Sequence, residues 1–197
     1  MVPIIDDSLI PGTILKKADM GNVTGKEFLS KIFFISDGVM IAEIRRISGL
    51  DSSTLQNWTK RGWLENSKLK RYSEDQVAHI LIINMLRSCM QLDRIAFLIR
   101  YINGSVNDRS DDIICASQLY DYICRILGRL TGEGSRSVED IRDCIAAEIS
   151  DYEETVTGAR KRLAKGLEII VIAYYATLLK RRSDILLDEL AGKKETI

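Results

Sequence analysis

Between residues 45 and 71 the chain sets hydrogen-bonding and cationic side chains at intervals suited to contacting a nucleic acid duplex. Ser53, Gln56, Asn57 and Lys60 recur at steps of three and four, so on a helix they share one face, with Ser52 just ahead of them. Carboxamides such as those of Gln56 and Asn57 can pair with adenine through two hydrogen bonds, and serine hydroxyls can donate to or accept from any base edge. Arg45, Arg46, Lys60 and Arg61 suit phosphates, and Lys68, Lys70 and Arg71 suit backbone or an adjacent minor groove. Catalytic chemistry is poorly supplied. The single histidine is His79, and no P-loop, GxGxxG or nucleophile elbow is present. Cys89, Cys115, Cys124 and Cys144 form no CxxC pair and lie far from His79 in sequence, so neither a metal nor a cofactor is expected.

The elements that must carry these residues follow from local signals. Ile41, Ile44 and Ile47 mark one face of a helix over 40–47. Ser48-Gly49-Leu50 reads as a turn in which glycine can take a positive φ. Asp51 is placed to cap a second helix over 52–61, with Leu55 and Trp58 inward and Gly62 as its stop. Trp63 and Leu64 then read as an extended strand, Glu65-Asn66-Ser67 as a turn, and 68–72 as the returning strand. The expectation is a winged helix-turn-helix whose short two-stranded wing is anchored by Trp63, Leu69 or Tyr72.

Around this module the chain reads as mainly α. Pro3 and Pro11 are the only prolines in 197 residues, 46% of which are hydrophobic and 28% charged. Formal net charge is zero, yet residues 45–71 hold seven basic residues against Asp51 and Glu65, while 108–154 hold twelve acidic residues against five arginines. Thr24–Glu27 and Ser73–Gln76 are capping-box pairs, the second opening a helix to about Cys89. Further helices are expected from Gln91 to about Asn103 and from Asp111-Asp112 through Leu127. A glycine-rich loop follows over 131–136, then a helical region capped by Ser137, with Thr157-Gly158 leaving one or two helices open. Three parts are expected: an N-terminal arm and short helix over 1–38, the winged domain over 39–104, and a helical dimerisation or effector region over 105–197. Tyr120, Tyr122, Tyr174 and Tyr175 are candidates to line a small-molecule pocket, although aromatics at this spacing more often belong to the core. Asp6 and Asp7 interrupt the opening apolar residues, and the run 167–179 is too short to span a bilayer. A cytoplasmic protein with buried thiols and no membrane contact is expected.

The stretch IAEIRRISGLDSSTLQNWTKRGWL, followed by KRYSEDQVAHILIINMLRSCMQLDRIAFLI, resembles the DNA-binding domain of MerR-type transcriptional regulators. It is more similar still to a bacterial family of unknown function with a MerR-like domain. That second likeness rests on Asn57-Trp58-x-Lys60-Arg61-Gly62, Lys70-Arg71-Tyr72-Ser73, Tyr101-Ile102-Asn103-Gly104 and Leu119-Tyr120-Asp121-Tyr122. The resemblance implies a homodimer that binds specific double-stranded DNA sequences and regulates transcription, with a small-molecule effector left open. MerR recognition helices carry arginines and a tyrosine where this chain has Ser53, Gln56, Asn57 and Trp58, so their sequence preference does not carry over. The competing expectation is a protein-interaction adaptor using the same fold without DNA.

Overall fold

The computed structural model describes residues 8–34, 37–103, 112–130 and 137–192. Over those residues it holds eight α-helices and one two-stranded antiparallel sheet. The expected glycine-rich loop at 131–136, and Asp111 of the expected helix start, lie outside the described residues.

The fold is organised on α4 (Glu74–Leu86). Ser73 caps it, its hydroxyl accepting the Gln76 N–H at 3.3 Å while the Gln76 Oε1 accepts the Ser73 N–H at 3.0 Å. Its sequence, EDQVAHILIINML, is apolar on every side after the first turn, and Val77, Ala78, Ile80, Leu81, Ile82, Ile83, Met85 and Leu86 are all buried. A helix apolar all round is stable in water only when other elements enclose it. Here α2 (Ile41–Ser48), α5 (Leu92–Asn103), α6 (Ala116–Leu130) and α8 (Ala159–Leu190) do so. Helix α1 (Gly25–Ile32) reaches the core through α6, and α7 (Val138–Glu148) packs between α6 and α8. One hydrophobic core runs from Ile10 to Leu178 and takes in Tyr120, Tyr122 and Tyr174. Those tyrosines are core packing, and Tyr175 packs against the same core half-buried.

From residue 8 onward the N-terminal arm has little regular structure, an isolated bridge between Leu9 and Lys16 and a 3-10 turn at Ala18–Met20. It is nonetheless fixed. Gly12 has φ +76°, and a Cβ there would come within 2.2 Å of the Leu81 carbonyl oxygen, so only glycine lets the arm lie this close to α4. The Tyr120 hydroxyl donates to the Pro11 carbonyl at 2.8 Å, and the Ile14 N–H donates to the Ile47 carbonyl at 3.0 Å.

Several expectations change. Helix α4 ends at Leu86, and the Cys89 and Met90 amides fold back onto the Leu86 carbonyl in a turn. Cys89, past the end of α4, and Cys115, just ahead of α6, are exposed, whereas Cys124 and Cys144 are half-buried. Helix α6 starts at Ala116, after Ile113 and Ile114 have already been buried as loop residues. Its first turn is capped from a distance: Asp75 Oδ1 accepts the Ser117 N–H at 3.0 Å and the Ser117 hydroxyl at 2.8 Å. The last helical region is two helices, separated by residues 149–158, with Gly158 at φ +84° preceding α8. No helix among the described residues is long and apolar enough to cross a membrane.

The sheet departs most from expectation. Strand β2 (Arg71–Tyr72) pairs with β1 (Val39–Met40), in register Val39–Tyr72 and Met40–Arg71, and not with residues 63–64. Trp63 and Leu64 are buried instead, because two large apolar side chains in succession are better placed in the core than on an exposed ribbon. Tyr72 anchors as expected; Leu69, 96% exposed, does not.

Candidate nucleic-acid interface

Helix α3 (Ser52–Lys60) follows α2 after a turn at Gly49, whose φ is +71°. Its N-terminus is closed by Asp51: Oδ1 accepts the Thr54 N–H at 2.7 Å and the Ser53 hydroxyl at 2.6 Å, and Oδ2 accepts the Thr54 hydroxyl at 3.1 Å. The Ser53 hydroxyl, then the Thr54 amide, stabilise the charged carboxylate and hold its pKa down at about 2. Leu55 and Trp58 are buried, which fixes the rotation of the helix. Gln56, Asn57 and Lys60 are thereby left exposed on its outer face.

The expected site residues fall into two groups. Gln56, Asn57 and Lys60 stand in solvent on α3, and Arg45 and Arg46 are exposed on the last turn of α2, where the helix dipole favours cations. Lys68 and Lys70 are exposed around the tip of the segment between α3 and β2. Leu69 and Lys70 there take φ +50° and +61°, and the Arg71 N–H closes the turn on the Lys68 carbonyl at 2.8 Å. Successive left-handed residues give the sharp reversal of a type I′ turn.

The second group is committed to the fold. Ser53 spends its proton on Asp51. Ser52 is half-buried. The Arg71 guanidinium donates to the Gly38 carbonyl at 2.7 Å, which draws it back along the sheet. Arg61 lies 5.1 Å from the centre of the Trp63 ring, a cation–π contact that holds it at the end of α3 while its charge stays exposed.

Two contributors escaped the sequence reading. Thr54 completes the α3 cap with both its amide and its hydroxyl. Gln76 does double service, since its Nε2 donates to the Asn66 carbonyl at 3.0 Å and so ties the segment before β2 to α4. Its position as third residue of a capping box was visible, but the second contact depends on the tertiary fold.

Residues 28–123 match the family model described as Domain of unknown function (DUF1836). The matched span begins in α1 and ends in α6, so it contains the whole α2–α3 unit, both strands, α4 and α5. A protein of Bacillus subtilis (strain 168), "Uncharacterized protein YkrK", is 26% identical over 106 residues, covering 52% of this chain and 46% of that protein. The chain thus matches about half the length of that curated relative. No solved structure matches. Neither description carries a function, and the MerR likeness rests on the residues quoted for it.

Proposed function

We propose that the chain is a sequence-specific DNA-binding transcription regulator, with α2, α3 and the segment up to β2 acting as a winged helix-turn-helix and with two copies acting together. The observation that carries the reading is the outer face of α3. A helix locked into the core by Leu55 and Trp58 presents Gln56, Asn57 and Lys60 to solvent, with exposed cations on the preceding helix and at the turn beyond. Side chains of this kind on a fixed helix suit the major groove, and flanking cations suit phosphates.

Pairing of two copies is favoured by energetics and by α8. A bidentate base contact discriminates by about 1–3 kcal/mol, so two carboxamides on one unit give modest specificity and a second unit doubles it. On α8, Ile169, Ile172, Ala176, Leu179, Ser183, Leu186 and Leu190 recur at alternating steps of three and four, and all seven are exposed. That is the spacing of a coiled-coil seam.

The test is an electrophoretic shift of genomic fragments at about 50 mM salt, where phosphate contacts are strong. Retarded fragments sharing a two-fold sequence support the reading. Absence of binding to every fragment overturns it.

A protein-interaction adaptor is the second reading, favoured by the exposed Phe97 and Tyr101, one turn apart on α5. A stoichiometric protein partner recovered from native cells, with no bound DNA, is the outcome that selects it.

A further inference from the structure

Helix α7, the stretch 149–158, the N-terminal half of α8 and Tyr101 of α5 line an open groove of about 900 Å³, within the size range of small-molecule sites. Its width has a cause in the sequence. Ala146 on α7, with Gly158 and Ala164 on the other side, puts almost no side-chain bulk on the facing surfaces. Ile145, Ile149 and the two alanines supply apolar lining.

The charges around this lining do not cancel. Five cationic residues border the groove against two carboxylates, and both carboxylates are already engaged. Glu168 accepts from Lys165 Nζ and from Arg142 Nε, each at 2.9 Å. Glu154 accepts the Arg160 backbone N–H at 2.8 Å. The Arg160 guanidinium is turned to the carbonyls of Ile149 and Tyr152. Lys161 is exposed and makes no ion pair among the described residues. Arg142 and Lys165 share Glu168, and Arg142 also reaches Glu139 at 3.8 Å, which leaves Lys161 as a cation bordering the groove without such a partner among the described residues.

An apolar trough edged by surplus positive charge fits one ligand chemistry. A simple inorganic anion gains nothing from the lining, and a neutral hydrocarbon gains nothing from the cations. We infer that the groove binds a small amphipathic anion, an alkyl chain ending in one carboxylate or phosphate. The chain lies along Ile145, Ala146, Ile149 and Ala164, and the head group meets Lys161 and Lys165. None of these residues belongs to α3 or its flanks, so the inference holds or fails independently of the DNA reading.

Isothermal titration of the full chain with decanoate, kept below its micellar range, tests it. Saturable one-to-one binding is expected, with decyl phosphate comparable, and with decanol and acetate each roughly tenfold weaker or more, a difference of about 1.4 kcal/mol. Lys161→Glu should weaken decanoate by a similar factor, and Ala146→Trp should abolish binding by filling the trough. Both positions are exposed, so each variant should keep the wild-type helical circular dichroism. No saturable decanoate binding, or unchanged affinity in either folded variant, overturns the inference. So does decanol binding as tightly as decanoate.

Discussion

Asn84, on the central helix, donates from one carboxamide nitrogen to the carbonyl of Ser48 at 2.9 Å. The same nitrogen donates to the Gly12 carbonyl at 2.8 Å. Ser48 is the last residue of α2, so a core helix directly fixes the point from which the chain turns into α3. Asn84→Leu keeps the volume but strands two carbonyls, at about 1–3 kcal/mol for each that finds no water. The expected result is a lower denaturation midpoint with the slope unchanged. If α3 reads DNA, affinity should fall further than stability alone explains.

Asp51 offers a pH test. Its carboxyl pKa is depressed in the folded protein, from an ordinary 3.8 to about 2. A depressed folded-state value means that the stability Asp51 contributes is complete above the ordinary value, and is lost as pH falls from there through about 2. Chemical denaturation of wild type and Asp51→Ala should differ at pH 7 and converge towards pH 2. Asp51→Ser, which can still accept the helix amide, should retain much of the difference at pH 7.

On the DNA reading, substitutions on α3 and at the flanks should have different signatures. Gln56→Ala or Asn57→Ala should cost about 1–3 kcal/mol at one base position and relax the preference there. Lys70→Ala and Arg46→Ala should weaken all sequences alike and reduce the salt dependence by about one unit each. Binding-site selection followed by salt titration separates the two. Arg71→Ala should instead lower stability, because its guanidinium is held by Gly38.

The seam on α8 predicts a change of association state. Leu179→Glu and Leu186→Glu replace exposed leucines, so the monomer should fold normally. Sedimentation velocity should then show dimer for wild type and monomer for the double variant. A monomeric wild type would remove the support that the seam gives to pairing.

What could be read in the sequence was what is decided within a few residues. The Thr24, Asp51, Ser73 and Ser137 caps each form with the partner three residues on. The inward face of α3 followed from Leu55 and Trp58 at helical spacing, whereas α4, buried all round, has no single inward face to read. Contacts decided across the fold were not legible. The run 68–72 looked like half of a local hairpin, but its partner is 33 residues earlier in the Val39–Tyr72 register. The left-handed pair at Leu69-Lys70 carries neither glycine nor asparagine to announce it. Cys89 was expected to be buried in a helix running to about that residue, and an α4 ending at Leu86 put it outside. The outward face of α3 was legible, but the bond from the Arg71 guanidinium to the Gly38 carbonyl was not, since it depends on which strand β2 pairs with.

The hydrogen bond from Tyr120 to Pro11 spans 109 positions, and it sets an order of events during synthesis. The arm leaves the ribosome well before the groups that seat it, Leu81, Asn84 and Tyr120. Its Pro11 carbonyl finds this buried donor only once Tyr120 has been made. Contacts this distant in sequence form late and slow the search for the native state. The α2–α3 unit, braced by that arm through Ile14 and Ile47, therefore gains its final support only after α6 has emerged. A nascent chain arrested before Tyr120 would hold every residue proposed to touch DNA and still lack part of the frame that aims them.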